Sequence, residues 1–196
     1  MADYLLHRKD RFIITAIEII DELGIQGLST REIARRQEVS EATLFRHYKN
    51  KNELLLAVLD FLIKFDSDIF LTTQIKKLSP IDAIRFLVKT TAEYNENYPE
   101  ITALLQLFET LRYEENLAEK IRFILNQRAL YIIQLIEEAK EVGTLSHQVD
   151  SNNLADIILG FYRELCLRWR INNRNFSLKE KTVETLDQVL IAFGSL

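Results

Sequence analysis

Apolar side chains recur at intervals of three and four residues along most of the chain, and no stretch alternates apolar and polar residues as a β-strand does. The first such run extends from Phe12 to Leu23. Gly24 follows it and is suited to end a helix, because glycine adopts the left-handed backbone that often closes one. The pattern predicts an all-α protein of about nine helices.

Residues that cap first turns mark the predicted helix starts. Ser29 with Glu32, and Ser177 with Glu180, have the spacing of a capping box, in which a hydroxyl accepts a hydrogen bond from a free backbone amide. Gly143 closes one long helix, predicted over residues 114–142. Further predicted starts are Ser40, Asn50 with Glu53, Ser79 before Pro80, Pro99, and Asp150.

Two short predicted helices lie close together in residues 28–51, and such a pair joined by a tight turn is a helix-turn-helix. Neither helix buries much surface alone, so both need a shared core. That core is predicted to comprise Ile33, Ala34, Val39 and Leu44, completed by Ile17 and Leu23 of the first helix. The outer face of the second helix then presents Glu41, Ala42, Thr43, Phe45, Arg46 and His47, the set that a DNA major groove would meet.

The distribution of charge adds to this picture. The whole chain has a formal charge of −4, which argues against non-specific nucleic-acid binding by the entire surface. Residues 29–52, however, carry six basic and three acidic side chains, a charge of +3, whereas residues 56–196 carry sixteen basic and twenty acidic ones, a charge of −4. This pattern fits a protein that contacts DNA with one end. The distribution of charge alone is equally consistent with an ordinary scatter of charged residues over the surface.

Composition favours a soluble, cytoplasmic protein without cofactor or metal. Hydrophobic residues make up 47% of the 196 residues, enough for a core, and neither a signal peptide nor a membrane-spanning run is evident. Cys166, the only cysteine, is more consistent with a buried structural thiol than with a redox switch. The three histidines form no ligand cluster, and no catalytic motif stands out, so neither a metal site nor an enzyme is expected.

The stretch Gly27–Leu54 resembles the DNA-binding signature of TetR-family regulators. This resemblance implies a three-helix DNA-binding domain over residues 1–52 and a helical ligand-sensing and dimerisation domain over residues 53–196. Two residues depart from the family pattern. Glu38 stands where glycine is frequent, which suggests a positive φ, and Phe45 replaces a frequent tyrosine, so its DNA contact would be apolar. The matching segments are LSTREIA at 28–34, VS at 39–40, TLFRHY at 43–48 and KNEL at 51–54.

The resemblance also implies roles for individual residues. Thr30 and Lys51 stand at helix starts, where they would hold phosphate; a lysine at this place opposes the helix dipole, which favours a functional role. Arg46 is either a base contact or a solvated surface arginine. The full predicted DNA-binding set is Thr30, Ala42, Thr43, Phe45, Arg46, His47, Tyr48, Lys49 and Lys51.

In the family, the middle helices enclose a small-molecule pocket and the last two helices pair with those of a second subunit. About a third of the aromatic residues in the body are expected to line such a pocket, the others being core. Gly160 would permit either a close crossing between subunits or tight packing within one. Arg163 and Glu164 are either the polar end of the pocket or an exposed pair with Arg168. The pocket candidates are Phe61, Phe65, Phe86, Tyr94, Phe108, Phe123, Phe161 and Tyr162.

The sequence therefore predicts a ligand-responsive repressor. It would bind a palindromic double-stranded DNA operator as a homodimer and be released by a small, largely apolar effector. The alternative is an all-α small-molecule carrier or enzyme without DNA binding. That alternative explains the apolar body but leaves the motif at residues 28–51 without a role.

Overall fold

The computed structural model describes residues 7–194, which form nine α-helices and one short 3₁₀ turn, Pro99–Ile101. This confirms the predicted all-α fold and the approximate number of helices. Within these residues β pairing is limited to one isolated bridge, between Leu145 and Gly194. The helices are α1 Arg8–Gly27, α2 Thr30–Arg36, α3 Glu41–Phe45, α4 Lys51–Ile75, α5 Pro80–Asn97, α6 Thr102–Leu111, α7 Glu115–Glu141, α8 Ser151–Ile171 and α9 Leu178–Phe193.

The predicted caps are confirmed. The Ser29 hydroxyl accepts a hydrogen bond from the Glu32 amide at 3.1 Å, and the Ser177 hydroxyl accepts one from the Glu180 amide at 3.2 Å. Each such bond satisfies an amide that has no partner inside its helix, which fixes where the helix begins. The other side-chain acceptors are Ser40 for Thr43, Asn50 for Glu53, Ser79 for Asp82 and Asp150 for Asn153.

The described chain divides into two compact units. The first comprises residues 7–64 and 99–123, and in it α1 packs against α2 and α6. Its buried side chains include Phe12, Ile17, Ile33 and Leu44, each at most 1% exposed. The predicted core of the helix-turn-helix is thus confirmed for Ile17, Ile33 and Leu44, and Val39 in the turn is half-buried.

Leu23 was expected to complete this core, and that expectation is wrong, because the residue is 53% exposed. The backbone leaves the helical conformation at Gly24, where φ is +69° and ψ is −180°. The Leu23 side chain instead lies over Gly27, so close that a Cβ added to Gly27 would stand 2.3 Å from the Leu23 Cβ. A glycine at position 27 therefore leaves room for Leu23 outside the core.

The second unit comprises residues 65–98 and 124–194 of the described chain. In it α9 packs against α5 and α8. Its core contains Ile84 of α5, Ile132 and Ile136 of α7, Leu154 of α8 and Leu186 of α9, each at most 1% exposed. The amphipathic stripes seen in the sequence thus point into one shared interior.

The turn between α2 and α3 contains the positive φ that the sequence suggested, since Glu38 has φ +53°. A residue with a side chain is strained in this region by about 1–2 kcal/mol relative to glycine. Glycine keeps only part of that advantage, because it has more conformational freedom to lose when the chain folds. We expect Glu38→Gly to raise the free energy of unfolding by about 0.5–1 kcal/mol in urea titrations. Gly24→Ala is the matched control at φ +69° and should lower it. A destabilised Glu38→Gly would show that the Glu38 side chain contributes more than its strain costs.

Candidate nucleic-acid interface and ligand cavity

The turn that joins α2 to α3 is held by backbone hydrogen bonds. The Val39 amide donates to the Ala34 carbonyl at 3.0 Å, and the Glu38 amide donates to the Arg35 carbonyl at 3.3 Å. Leu44 is fully buried and anchors α3 to the first unit. With Leu44 directed inward, the opposite side of this short helix is left to solvent.

The predicted contact residues on and just after α3 are mostly accessible. Ala42, Arg46 and His47 are exposed, and Phe45 is 45% exposed despite its apolar ring. The His47 ring centroid stands 5.6 Å from that of Phe12 in an edge-to-face contact, which orients the imidazole. Thr43 is half-buried, and its hydroxyl lies 3.0 Å from the Ser40 hydroxyl. The segment thus presents one apolar, one basic and one imidazole side chain together.

Thr30 at the start of α2 already has a partner within the chain. Its hydroxyl donates to the Glu41 carboxylate at 2.9 Å, which links the first turns of α2 and α3. A contact from this hydroxyl to a DNA phosphate therefore requires that the bond to Glu41 be exchanged. The role of Thr30 in DNA binding stays a prediction.

Tyr48 is directed into the protein. It is 4% exposed, its hydroxyl donates to the Lys9 carbonyl at 3.4 Å, and burial raises its pKa to about 12. The Lys9 ammonium stands 5.6 Å from the ring centroid. These contacts give Tyr48 a structural task in the first unit, and a phosphate contact would be additional to it. The neighbouring Lys49 is exposed, and its amide donates to the Glu53 carboxylate at 2.8 Å.

Two of the arginines in this basic segment are engaged by carboxylates. Arg35 and Arg36 both donate to Glu32, at 2.7 and 2.8 Å, and Arg36 also donates to Glu22 at 2.7 Å. These hydrogen bonds lower the pKa of Glu32 to about 2. The two guanidinium groups are thus partly neutralised, and the positive charge available to DNA comes from other residues.

The cations without an ion pair among residues 7–194 include Arg31, Arg46 and Lys49, all exposed. The predicted contact set does not include Arg31, whose charge is part of the basic segment. It is the second residue of α2, where a cation opposes the helix dipole, so the argument applied to Lys51 would have identified it too.

Lys51, the first residue of α4, is half-buried. Its ammonium donates to the Ile25 carbonyl at 2.7 Å, and burial lowers its pKa. The lysine therefore binds the chain segment that follows the break at Gly24. This hydrogen bond explains within the molecule why a lysine stands at a helix start, where the helix dipole disfavours it. The predicted phosphate contact is a second explanation.

We expect Lys51→Ala to lower the free energy of unfolding by about 1 kcal/mol, because the Ile25 carbonyl loses a charged donor. We also expect binding to all DNA sequences to weaken alike, with the slope of log affinity against log salt reduced by about one. Urea titration and fluorescence anisotropy at several salt concentrations measure the two effects. Arg122→Ala, which removes an exposed cation of α7, is the control. A changed sequence preference with an unchanged slope would contradict the phosphate role.

The second unit contains a cavity of about 50 Å³ among α4, α5, α7 and α8. Seven apolar side chains line it, among them Ile69, Val88 and Ile158. The four polar side chains at its wall are Asp66, Thr91, Arg128 and Tyr162. An apolar cavity with a few convergent polar groups is the usual form of a small-molecule site, although this one is much smaller than the typical few hundred Å³.

Of the eight aromatic candidates, only Tyr162 lines this cavity. Aromatic residues in a helical body follow the same periodicity whether they face a core or a cavity, so the sequence did not separate them. The others have different surroundings: Phe65 stacks on Tyr94 at 4.2 Å, Phe86 contacts the Lys76 ammonium, Phe161 packs against the second core, Phe61 is half-buried in α4, Phe108 is 5% exposed in α6, and Phe123 is 49% exposed in α7.

A small polar cluster adjoins the cavity at Tyr162. The Asn95 amide donates to the Tyr162 hydroxyl at 2.6 Å, and burial raises the pKa of that hydroxyl well above its ordinary value. Cys166 is fully buried, and burial raises its thiol pKa to about 11. A buried, protonated thiol is the structural cysteine that the sequence favoured. Arg163 and Glu164 are exposed, and Glu164 pairs with Arg168 at 3.4 Å.

No helix within residues 7–194 has the length and apolar character needed to cross a membrane. Over the same residues, no group of three or more histidine, cysteine, aspartate or glutamate side chains is placed to hold a metal ion.

The sequence profile of the bacterial regulatory proteins of the tetR family matches residues 13–58, which include the whole helix-turn-helix. The profile described as the YsiA-like protein C-terminal region matches residues 65–192. The chain belongs to the TetR family. It is accordingly a DNA-binding transcriptional regulator.

Individual proteins and solved structures are similar to this chain over different shares of its length. The nucleoid occlusion factor SlmA of Vibrio cholerae serotype O1 is 22% identical over 161 residues, 79% of this chain and 80% of SlmA. The class C tetracycline repressor of Escherichia coli is 36% identical over 56 residues, 29% of this chain and 26% of the repressor. The structure of Bacillus subtilis FadR in complex with stearoyl-CoA has a TM-score of 0.80 at 19% identity, covering 93% of this chain and 98% of that one. The last comparison shows that the TetR-family fold is shared.

Proposed function

We propose that this TetR-family regulator is a repressor that binds a palindromic operator as a homodimer and is released by a small, largely apolar effector. The observation that carries the proposal is the exposed set Ala42, Phe45, Arg46 and His47 on a helix-turn-helix, in a chain whose second unit encloses an apolar cavity. An all-α carrier or enzyme would need the cavity but not the helix-turn-helix. We also propose that this regulator is not an enzyme and that it is cytoplasmic.

DNA recognition would involve α3 in the major groove. Arg31 and Lys49, which form no ion pair with the described residues, would contact the flanking phosphates. Phosphate contacts set the position of a protein on the duplex, whereas contacts to base edges select the sequence. Arg46 has no ion pair among the described residues, so its guanidinium is available for the bidentate contact with guanine that arginine commonly makes. We propose this base contact for Arg46 rather than the role of a merely solvated side chain.

A homodimer would be formed by α8 and α9. Both carry exposed apolar side chains, namely Ile157 and Ile171 on α8 and Ile191 on α9, with exposures of 42%, 74% and 71%. Gly160 lies in the same region of α8, and a Cβ added there would meet nothing within 4 Å. Tight packing within the subunit thus does not account for this glycine, which supports the proposed close crossing with a second copy.

The effector would occupy the cavity of the second unit. Its apolar wall suits a hydrocarbon body, and Bacillus subtilis FadR, which has the same fold, binds stearoyl-CoA, so acyl compounds are the first class to test. Helix α4 begins at Lys51 and contributes Asp66, Ile69 and Phe70 to the cavity, so one helix belongs to both units. Release requires only that the effector bind the DNA-free form more tightly than the DNA-bound form.

The test is selection of binding sites from random duplex DNA by the full chain, followed by gel retardation. We expect an enriched palindrome whose half-sites are about one helical turn apart, 34–36 Å. Retardation of that palindrome should decrease when an effector is added. Enrichment of no sequence, or of a single asymmetric site bound by one copy of the chain, would contradict the proposal.

A further inference from the structure

A buried ion pair forms part of the apolar cavity wall. Arg128 of α7 donates to Asp66 of α4 through Nε at 2.6 Å and Nη2 at 3.1 Å. The Asp66 side chain is 11% exposed and the Arg128 side chain 20%. Burial of two charges is costly, and hydrophobic residues of similar size often serve stability equally well or better. Stability alone therefore does not explain the pair, and its position in the cavity wall makes it a candidate for contact with a ligand.

The guanidinium retains hydrogen-bonding capacity beyond this pair. It has five N–H groups, and the two bonds to Asp66 use two of them. No other hydrogen bond joins Arg128 to residues 7–194, and Nη1 is not among the buried nitrogen atoms of the described chain that lack a partner. Nη1 is therefore not fully buried, and Arg128 is one of the residues that line the cavity. The remaining N–H groups are available to donate to an oxygen atom.

The charges restrict which oxygen atom fits there. Asp66 already neutralises Arg128, so an added carboxylate would place two negative charges beside one positive charge in a site of low polarity. An added ammonium group would be repelled by the positive charge of the guanidinium. An uncharged carbonyl oxygen accepts hydrogen bonds from the free N–H groups without repulsion from either partner. The remaining wall, seven apolar side chains, suits a hydrocarbon body.

We propose that the effector is an apolar molecule with an uncharged carbonyl group, whose oxygen accepts hydrogen bonds from Arg128. Asp66 is the positioning residue: it fixes the guanidinium and disfavours free carboxylates. This inference rests on the proposed function, because it assumes that the cavity is the effector site. It adds the chemical class of the polar group and the two residues that select it.

The experiment titrates the full chain with three aliphatic probes of equal length, 2-octanone, octanoate and octylamine, by calorimetry at neutral pH. We expect 2-octanone to bind about tenfold more tightly than either charged probe. In Asp66→Asn, octanoate affinity should rise by about tenfold and the preference for 2-octanone over octanoate should disappear. Asp187→Asn is the matched control: it removes a carboxylate from the exposed ion pair with Arg85, outside the cavity, and should keep the preference for 2-octanone.

Octanoate binding as tight as 2-octanone to the wild type would overturn the proposal, as would binding of none of the probes. An unchanged preference in folded Asp66→Asn would overturn it too. If Asp66→Asn does not fold, the order of the three probe affinities for the wild type tests the proposal. Gel retardation in parallel separates the two claims: operator binding that responds to other compounds would leave the proposed function intact while this inference fails. Absence of operator binding would remove the proposed function whatever the probes do.

Discussion

The double variant Arg46→Ala/His47→Ala is expected to fold like the wild type and to lose most of its specific affinity for the operator. Both side chains are exposed beside α3, and Arg46 has no ion pair among residues 7–194, so the only core contact removed is the edge-to-face contact of His47 with Phe12. A good base contact is worth about 1–3 kcal/mol. Two lost contacts should therefore lower operator affinity by about 30-fold or more, measured by fluorescence anisotropy.

Non-specific DNA supplies the comparison that identifies base contacts. Affinity for an unrelated duplex should change much less than affinity for the operator, because phosphate contacts by Arg31 and Lys49 remain. Arg122→Ala, which removes an exposed cation of α7, should leave the preference for the operator unchanged. Wild-type operator affinity in the folded double variant would show that the surface formed by α3 does not select the sequence.

The second large effect is expected at the cavity wall. Arg128→Met should lower the free energy of unfolding by about 3 kcal/mol, because it leaves the Asp66 carboxylate buried without its partner. Asp66→Leu/Arg128→Met removes both charges and should recover most of that loss. Urea titrations followed by circular dichroism measure all three proteins.

An exposed ion pair provides the control for burial. Arg85 pairs with Asp187 at 2.9 Å, with side-chain exposures of 45% and 40%. Arg85→Met should change the free energy of unfolding by at most about 1 kcal/mol, because solvent screens this pair. Equal losses for Arg128→Met and Arg85→Met would mean that the Asp66–Arg128 pair is effectively solvated.

The fold could largely be predicted because its determinants are local in sequence. A cap such as Ser29 or Asp150 bonds an amide only three residues further on, so the short-range pattern contains the whole interaction. The positive φ of Glu38 followed from a resemblance in the same short segment. Leu23 shows the limit: its periodicity indicates the core, and the break at the next residue directs it to solvent.

The sites were less predictable because their contacts join residues distant in sequence. Nothing near Lys51 indicates that its ammonium meets the Ile25 carbonyl, and nothing near Tyr48 indicates the Lys9 carbonyl. The Asp66–Arg128 pair spans sixty-two positions of the chain. In the sequence Asp66 stands close to Lys64, Ser67 and Asp68, so no local pattern distinguishes it as the buried partner of an arginine.

Reciprocal linkage between effector and operator tests the central claim most directly. A compound that releases the operator in gel retardation is titrated calorimetrically into the protein alone and into the protein–operator complex. The account predicts weaker binding to the complex, by the factor with which the compound weakens operator binding, typically about 5- to 150-fold. Equal affinity of the compound for the free protein and for the complex would contradict a ligand-responsive repressor.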